Sequence, residues 1–186
     1  MEVFPPLGQD VLFFWIPIIV KQQMRFSLID QITELKAGES ITAAKNLTLA
    51  EEYLQDHFPG FPVMPGVLMV EALVQTSAWL MRYSEDFRYS TVLLDEAKAV
   101  KFNSFVKPGD TITIQSKLQK KNDESTWTFK ASGNVGETNV ITAKLILKQF
   151  NLADEYPSIA SGDAVQTESI KTLFNVLYPQ AESAKS

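Results

Sequence analysis

The chain has 186 residues, 45% hydrophobic and 21% charged, with a formal net charge of −5, which suits one globular domain with room for an appended segment. The acidic balance argues against a nucleic-acid binder and leaves an anionic partner only local basic patches to dock on. With no cysteine and one histidine, His57, disulfides, thiolate catalysis, cysteine-ligated zinc and multi-histidine metal sites are excluded; the composition fits a reducing, cytoplasmic setting.

Residues 1–23 form an N-terminal apolar extension. Its longest apolar run, Val11–Val20 (VLFFWIPIIV), falls short of the roughly 20 residues that span a bilayer. Glu2 and Asp10 stand where a signal peptide carries basic residues. The run is expected to pack on the protein, and Met24 stands as an alternative start.

Residues 26–35 and 40–47 read as strands about the turn Lys36-Ala37-Gly38-Glu39. Thr48-Leu49-Ala50-Glu51 has the capping-box pattern and predicts a helical turn to about Gln55. The segment from His57 to Gly66, HFPGFPVMPG, is too rich in proline and glycine for helix or ladder strand and predicts a rigid, extended loop. Pro65 can open a helix running to about Arg82 or Tyr83. That helix, GVLMVEALVQTSAWLM, is apolar on nearly every face and is expected to be buried all round.

Beyond it, strands are expected over residues 93–102, 111–120, 126–135 and 140–149, from their alternating apolar positions and the turns at 108–110, 120–125 and 134–139. The sum is an α+β domain over residues 24–150, a curved antiparallel sheet of five or more strands wrapped on one long central helix. Residues 151–186 form a tail, loop-like to about 165, then a short amphipathic helix over 167–178 that docks on its own domain or a neighbour.

Chemistry concentrates around the central helix. Glu71 is a carboxylate in an apolar helix, so it must be paired, hydrogen-bonded or protonated. Gln75 lies one turn on and can hold it. His57, at the head of the proline-rich loop, is the candidate base. Free N–H groups at the helix start near Gly66 can stabilise an oxygen gaining enolate character, and a residue without a side chain lets a substrate approach. Base, acid and oxyanion donor suit proton abstraction beside a carbonyl with loss of a β-hydroxyl.

The segment His57-Phe-Pro-Gly-Phe-Pro-Val-Met-Pro-Gly-Val-Leu-Met-Val-Glu71-Ala-Leu-Val-Gln75 closely resembles the signature of the β-hydroxyacyl-acyl-carrier-protein dehydratases of type II fatty-acid synthesis. Weaker similarity runs from about Phe26 to Lys148, including Lys107-Pro108-Gly109-Asp110. The resemblance implies a hotdog fold, a homodimer often assembled as a trimer of dimers, and an acyl carrier protein as partner, with no cofactor or metal. It implies conversion of a (3R)-hydroxyacyl thioester to a trans-2-enoyl thioester and water. His57 of one subunit would take the α-proton, Glu71 of the other would protonate the leaving hydroxyl, and the Gly66 N–H would hold the thioester carbonyl. Glutamate at 71 resembles the general dehydratase branch; the isomerising branch usually has aspartate. The family's histidine- and proline-containing N-terminal motif is replaced here by Met24-Arg25-Phe26-Ser27-Leu28-Ile29-Asp30. Two other readings are a hotdog thioesterase and a non-catalytic carrier-binding partner of another dehydratase. Arg82, Arg88, Lys98, Lys101 and Lys107 offer a cationic stretch for carrier docking.

Overall fold

A computed structural model describes residues 26–58, 60–154 and 156–179. The apolar extension, Met24, Pro59 and the end of the tail lie outside them. Six strands form one antiparallel sheet: β1 (Gln31–Lys36), β2 (Ser40–Asn46), β3 (Thr91–Phe102), β4 (Thr111–Lys121), β5 (Thr126–Val135) and β6 (Thr138–Phe150). Their spatial order is β1-β2-β4-β5-β6-β3. Between β2 and β3 come a short helix, α1 (Tyr53–Asp56), and the long helix α2 (Gly66–Ser84); α3 (Ala160–Leu177) follows the sheet.

Alternation decides which sheet face is the core. Ile112 and Ile114 of β4, Trp127, Phe129 and Ala131 of β5, and Ile141, Ala143, Leu145 and Leu147 of β6 all point one way and are buried. Register aligns them across strands, Phe129 facing Leu145 and Ala131 facing Ala143. Helix α2 lies on this face, burying Met69, Leu73, Leu80 and Met81. The curved sheet around one central helix is the hotdog architecture expected of an α+β chain.

Six expectations are revised. Strand β1 begins five residues late, because the Leu28 N–H donates to Gln75 Oε1 (2.8 Å) and the Phe26 carbonyl accepts from Gln75 Nε2 (3.1 Å). Those backbone groups are satisfied by a helix side chain, not by a ladder. The capping box does not form: α1 starts at Tyr53 without a side-chain cap. Glu51 is drawn instead to Lys45, a buried ammonium that needs it (2.7 Å). The loop after His57 is not simply extended. Phe58 has φ +54°, Gly60 has φ +86°, and the Phe61 N–H closes a turn onto the Phe58 carbonyl. Pro65 is the cap of α2, not its first residue, and its carbonyl accepts from Leu68 and Met69.

The tail departs furthest. Its helix starts seven residues early, at Ala160, after two short 3-10 turns. Asp163 in its first turn accepts from the Ser90 hydroxyl and from the Leu152 and Ala153 N–H groups. These hydrogen bonds hold the Asp163 carboxyl below the usual aspartate range, the Ser90 contribution being largest. Further along, Phe174 stacks on Tyr83 (5.4 Å between centroids), packs against Trp79 and meets Phe87 edge-on. Helix α3 thus covers the C-terminal half of α2. The N-terminal half is not covered in the same way: Val67 is 73% exposed, so α2 is not buried all round within one chain.

Candidate active site

Glu71 and Gln75 come together as the spacing predicts. Gln75 Nε2 donates to Glu71 Oε1 at 3.0 Å. The same carboxamide grips the chain entering β1, through Phe26 and Leu28. Gln75 is therefore a strut between the incoming chain and the carboxylate. It fixes one Glu71 oxygen, while the other has no hydrogen bond among the described residues. Glu71 opens into a cavity of 370 Å³ together with Phe26, Trp79 and Arg82, closed on its far side by Gln166, Ile170 and Leu173 of α3.

His57 follows α1 and lies in a second cavity, of 390 Å³, with Met64, Gly66, Met69, Phe102 and Phe105. Its ring meets Phe58 edge-on, 4.5 Å between centroids. A left-handed conformation at a bulky residue such as Phe58 is costly and is found where surrounding structure imposes it, often beside functional groups. Here it turns the chain immediately after the imidazole.

Gly66 is the first residue of α2, with no side-chain cap on that helix end, so its N–H is among the free donors of the helix start. The close approach its missing side chain permits is used by Phe102: a Cβ there would sit 3.0 Å from the ring. Glycine at 66 is thus needed for packing, and the ring borders the free N–H of the helix start.

His57 and Glu71 do not share a cavity; no residue lines both. The helix itself separates them. Met69 lines the His57 side and Glu71 the other, two residues and so about 200° apart around the axis. Within one chain the two candidate residues lie on opposite sides of α2.

Sequence reasoning placed Arg82 in a surface patch, and this is corrected. Arg82 lines the Glu71 cavity, its guanidinium lies 5.3 Å from the Trp79 ring, and its Nε is buried without a partner among the described residues. Burial lowers its pKa to about 10. The spacing 71, 75, 78, 82 carried the signal, since these positions share a helix face. The remaining cations scatter. Lys98 pairs with Glu96, Lys107 sits over Phe61, and Lys101 lines an outer-face groove with Lys120, Lys130 and Lys144.

Residues 20–144 match the model of the FabA-like domain. The chain belongs to that family. Helix α3 lies beyond the matched residues. Among curated relatives, the 3-hydroxyacyl-[acyl-carrier-protein] dehydratase FabZ of Levilactobacillus brevis is 42% identical over 117 residues, 63% of this chain and 78% of that protein. The enzyme of the same name from Oenococcus oeni is 46% identical over 96 residues, 52% of this chain and 69% of that protein. Among solved structures, the dehydratase heterocomplex ApeI:P from Xenorhabdus doucetiae superposes with a TM-score of 0.59 at 18% identity, over 72% of this chain and 90% of that one. The smu.793 protein of Streptococcus mutans, bound to acetyl CoA, gives 0.53 at 13% identity, over 70% and 95%. At those identities the structural likeness concerns the fold. No described helix is long and apolar enough to cross a membrane.

Proposed function

We infer that the chain is a 3-hydroxyacyl-[acyl-carrier-protein] dehydratase of fatty-acid biosynthesis, acting as a homodimer whose site is assembled from two copies. The similarity to the curated dehydratases carries the reaction. The separation of His57 from Glu71 by α2 carries the two-chain site.

A free edge supports the dimer. β3 pairs only with β6, and its other edge is unpaired among the described residues. Leu93, Leu94 and Phe102 on that strand are exposed, as are Phe58 and Phe105 of the His57 cavity and Phe61 packed on Phe105. An unpaired strand flanked by large apolar side chains is a pairing surface. A second copy added there by a two-fold axis would cover α2's open N-terminal half and bring each His57 toward the other chain's Glu71. A trimer of such dimers would follow the family resemblance.

In that site the His57 imidazole removes the α-proton, and the electron pair moves toward the thioester carbonyl, whose oxygen the Gly66 N–H stabilises. Collapse of the enolate expels the β-hydroxyl. The Glu71 oxygen not held by Gln75 supplies the proton that makes it water, directly or through a bound water. No metal or cofactor enters these steps. An acidic carrier protein would deliver the substrate. The groove of Lys101, Lys120, Lys130 and Lys144 supports docking near β3, where the next residue, Phe102, lines the His57 cavity.

The test is turnover of carrier-bound (3R)-hydroxyacyl substrates. Enoyl absorbance is the expected product signal. Release of free thiol instead would identify a thioesterase, and carrier binding without turnover a non-catalytic partner. Docking through lysines also requires carrier affinity to fall as salt rises.

A further inference from the structure

The cavity beside Glu71 continues far past the reacting group. Its α2 wall carries Glu71, Gln75, Ala78 and Arg82. Glu71 and Arg82 are eleven residues apart, so they lie within about 20° of one another around the axis and roughly 16 Å apart along it. An extended hydrocarbon of roughly a dozen bonds, each about 1.5 Å long and advancing somewhat less, covers that span. Val74, Ala78, Trp79 and Val92 line the middle apolar stretch, and Ile170 and Leu173 of α3 face them. The opposite wall therefore comes from a helix outside the residues that match the family.

The far end is where the polarity changes. Among the described residues, Glu71 is the one carboxylate lining this cavity, and it lies at the other end. Arg82 has no carboxylate within ion-pair distance among the described residues; its charge is met by the Trp79 ring, and its Nε is sealed off without an acceptor. A guanidinium that pays for desolvation without a planar anion partner is an unfilled binding group. A carboxylate is the anion whose two oxygens match that fork.

We propose that the cavity between α2 and α3 takes the acyl chain and selects chains that end in a carboxylate, with Arg82 as the group that binds the distal end. The proposal rests on the dehydratase reading and adds the substrate class. The β-carbon sits at Glu71, the methylenes beyond it lie along Trp79 and Leu173, and the ω-carboxylate meets the guanidinium. No bond changes at Arg82; it acts on binding alone.

The experiment compares two carrier-bound 3-hydroxyacyl substrates of matched length, one ending in methyl and one in carboxylate, with a short-chain substrate that cannot reach Arg82. In the parent protein the carboxylate-ended chain should show a kcat/KM about 10- to 100-fold above the methyl-ended one, the range set by hydrogen bonds to charged groups. Arg82→Gln should abolish that ratio by lowering kcat/KM for the carboxylate-ended chain to that for the methyl-ended one. Arg82→Lys should restore part of it, because the charge returns without the fork. A parent ratio of one or below overturns the proposal without needing any variant to fold. So does an unaltered ratio in a folded Arg82→Gln protein that turns over the short chain normally. Short-chain dehydration with no carboxylate preference sinks this inference alone. No dehydration of any substrate sinks it together with the function beneath it.

Discussion

The two halves of helix α2 differ in what covers them. Over the C-terminal half, the chain supplies its own cover: Phe174 sits among Trp79, Tyr83 and Phe87, and Ile170 and Leu177 are buried with it. Over the N-terminal half, Val67 stays exposed, with Phe58, Phe102 and Phe105 lining the nearby His57 cavity and Phe61 edge-on to Phe105. The first region is covered within one chain; the second leaves apolar surface exposed. Glu71 stands at the border, one oxygen held by Gln75, in the cavity that α3 closes. The lesson is that one helix can be fully packed over one half and leave apolar surface open over the other.

That contrast can be broken first at the chemistry. Glu71→Gln and His57→Ala should each lower kcat by about 10²–10⁴-fold with little change in thermal stability. An activity within a few-fold of the parent in either variant would remove that residue from its role.

Next in size is the self-covered half. Phe174→Ala should destabilise the fold by about 3–5 kcal/mol, the range for truncating a buried aromatic residue, read as the denaturation midpoint. A change under about 1 kcal/mol would mean that α3 is not a cooperative part of the domain.

Gln75→Leu tests the border. The Leu28 N–H loses its acceptor, a loss of about 1–3 kcal/mol. Glu71 loses a positioning hydrogen bond worth about 1.5 kcal/mol, so kcat should fall roughly tenfold. Unchanged kcat would show that Glu71 needs no strut.

The smallest effect is expected at Asp163. Its folded-state pKa is depressed by the hydrogen bonds from Ser90, Ala153 and Leu152. The stability it contributes is therefore fully present above the ordinary aspartate value of about 3.9 and is lost as pH falls through the lower folded value. Asp163→Asn should flatten stability against pH in that acidic window and lose, at neutral pH, the small stability that the charge contributes. An equally steep acid limb in both proteins would assign it to other carboxylates.

Much of this was legible from the residues because it depends on local pattern. The period-2 alternation in 111–120 and 126–135 located β4 and β5 closely, and the turn residues bounded them. The Glu71–Gln75 pair followed from helical spacing. What escaped depends on partners distant in sequence. Residues 26–30 have strand-like composition, but Gln75, 47 residues from Leu28, takes the Leu28 N–H and the Phe26 carbonyl. Residues 160–166 look loop-like, but Asp163 is tied to Ser90, 73 residues earlier. Arg82 looked like one more surface cation because burial by α3 is a tertiary fact.

The central claim is that each active site takes His57 from one chain and Glu71 from the other, and subunit mixing tests it most directly. Two inactive proteins, His57→Ala and Glu71→Gln, are unfolded together in equal amounts and refolded, with each refolded alone as a control. In a two-fold dimer, random pairing makes half the dimers mixed, and each mixed dimer has one site free of both substitutions. The mixture should therefore regain about a quarter of the parent's dehydration rate. If each site were built within a single chain, every site would carry one defect, and the mixture would stay as inactive as its components.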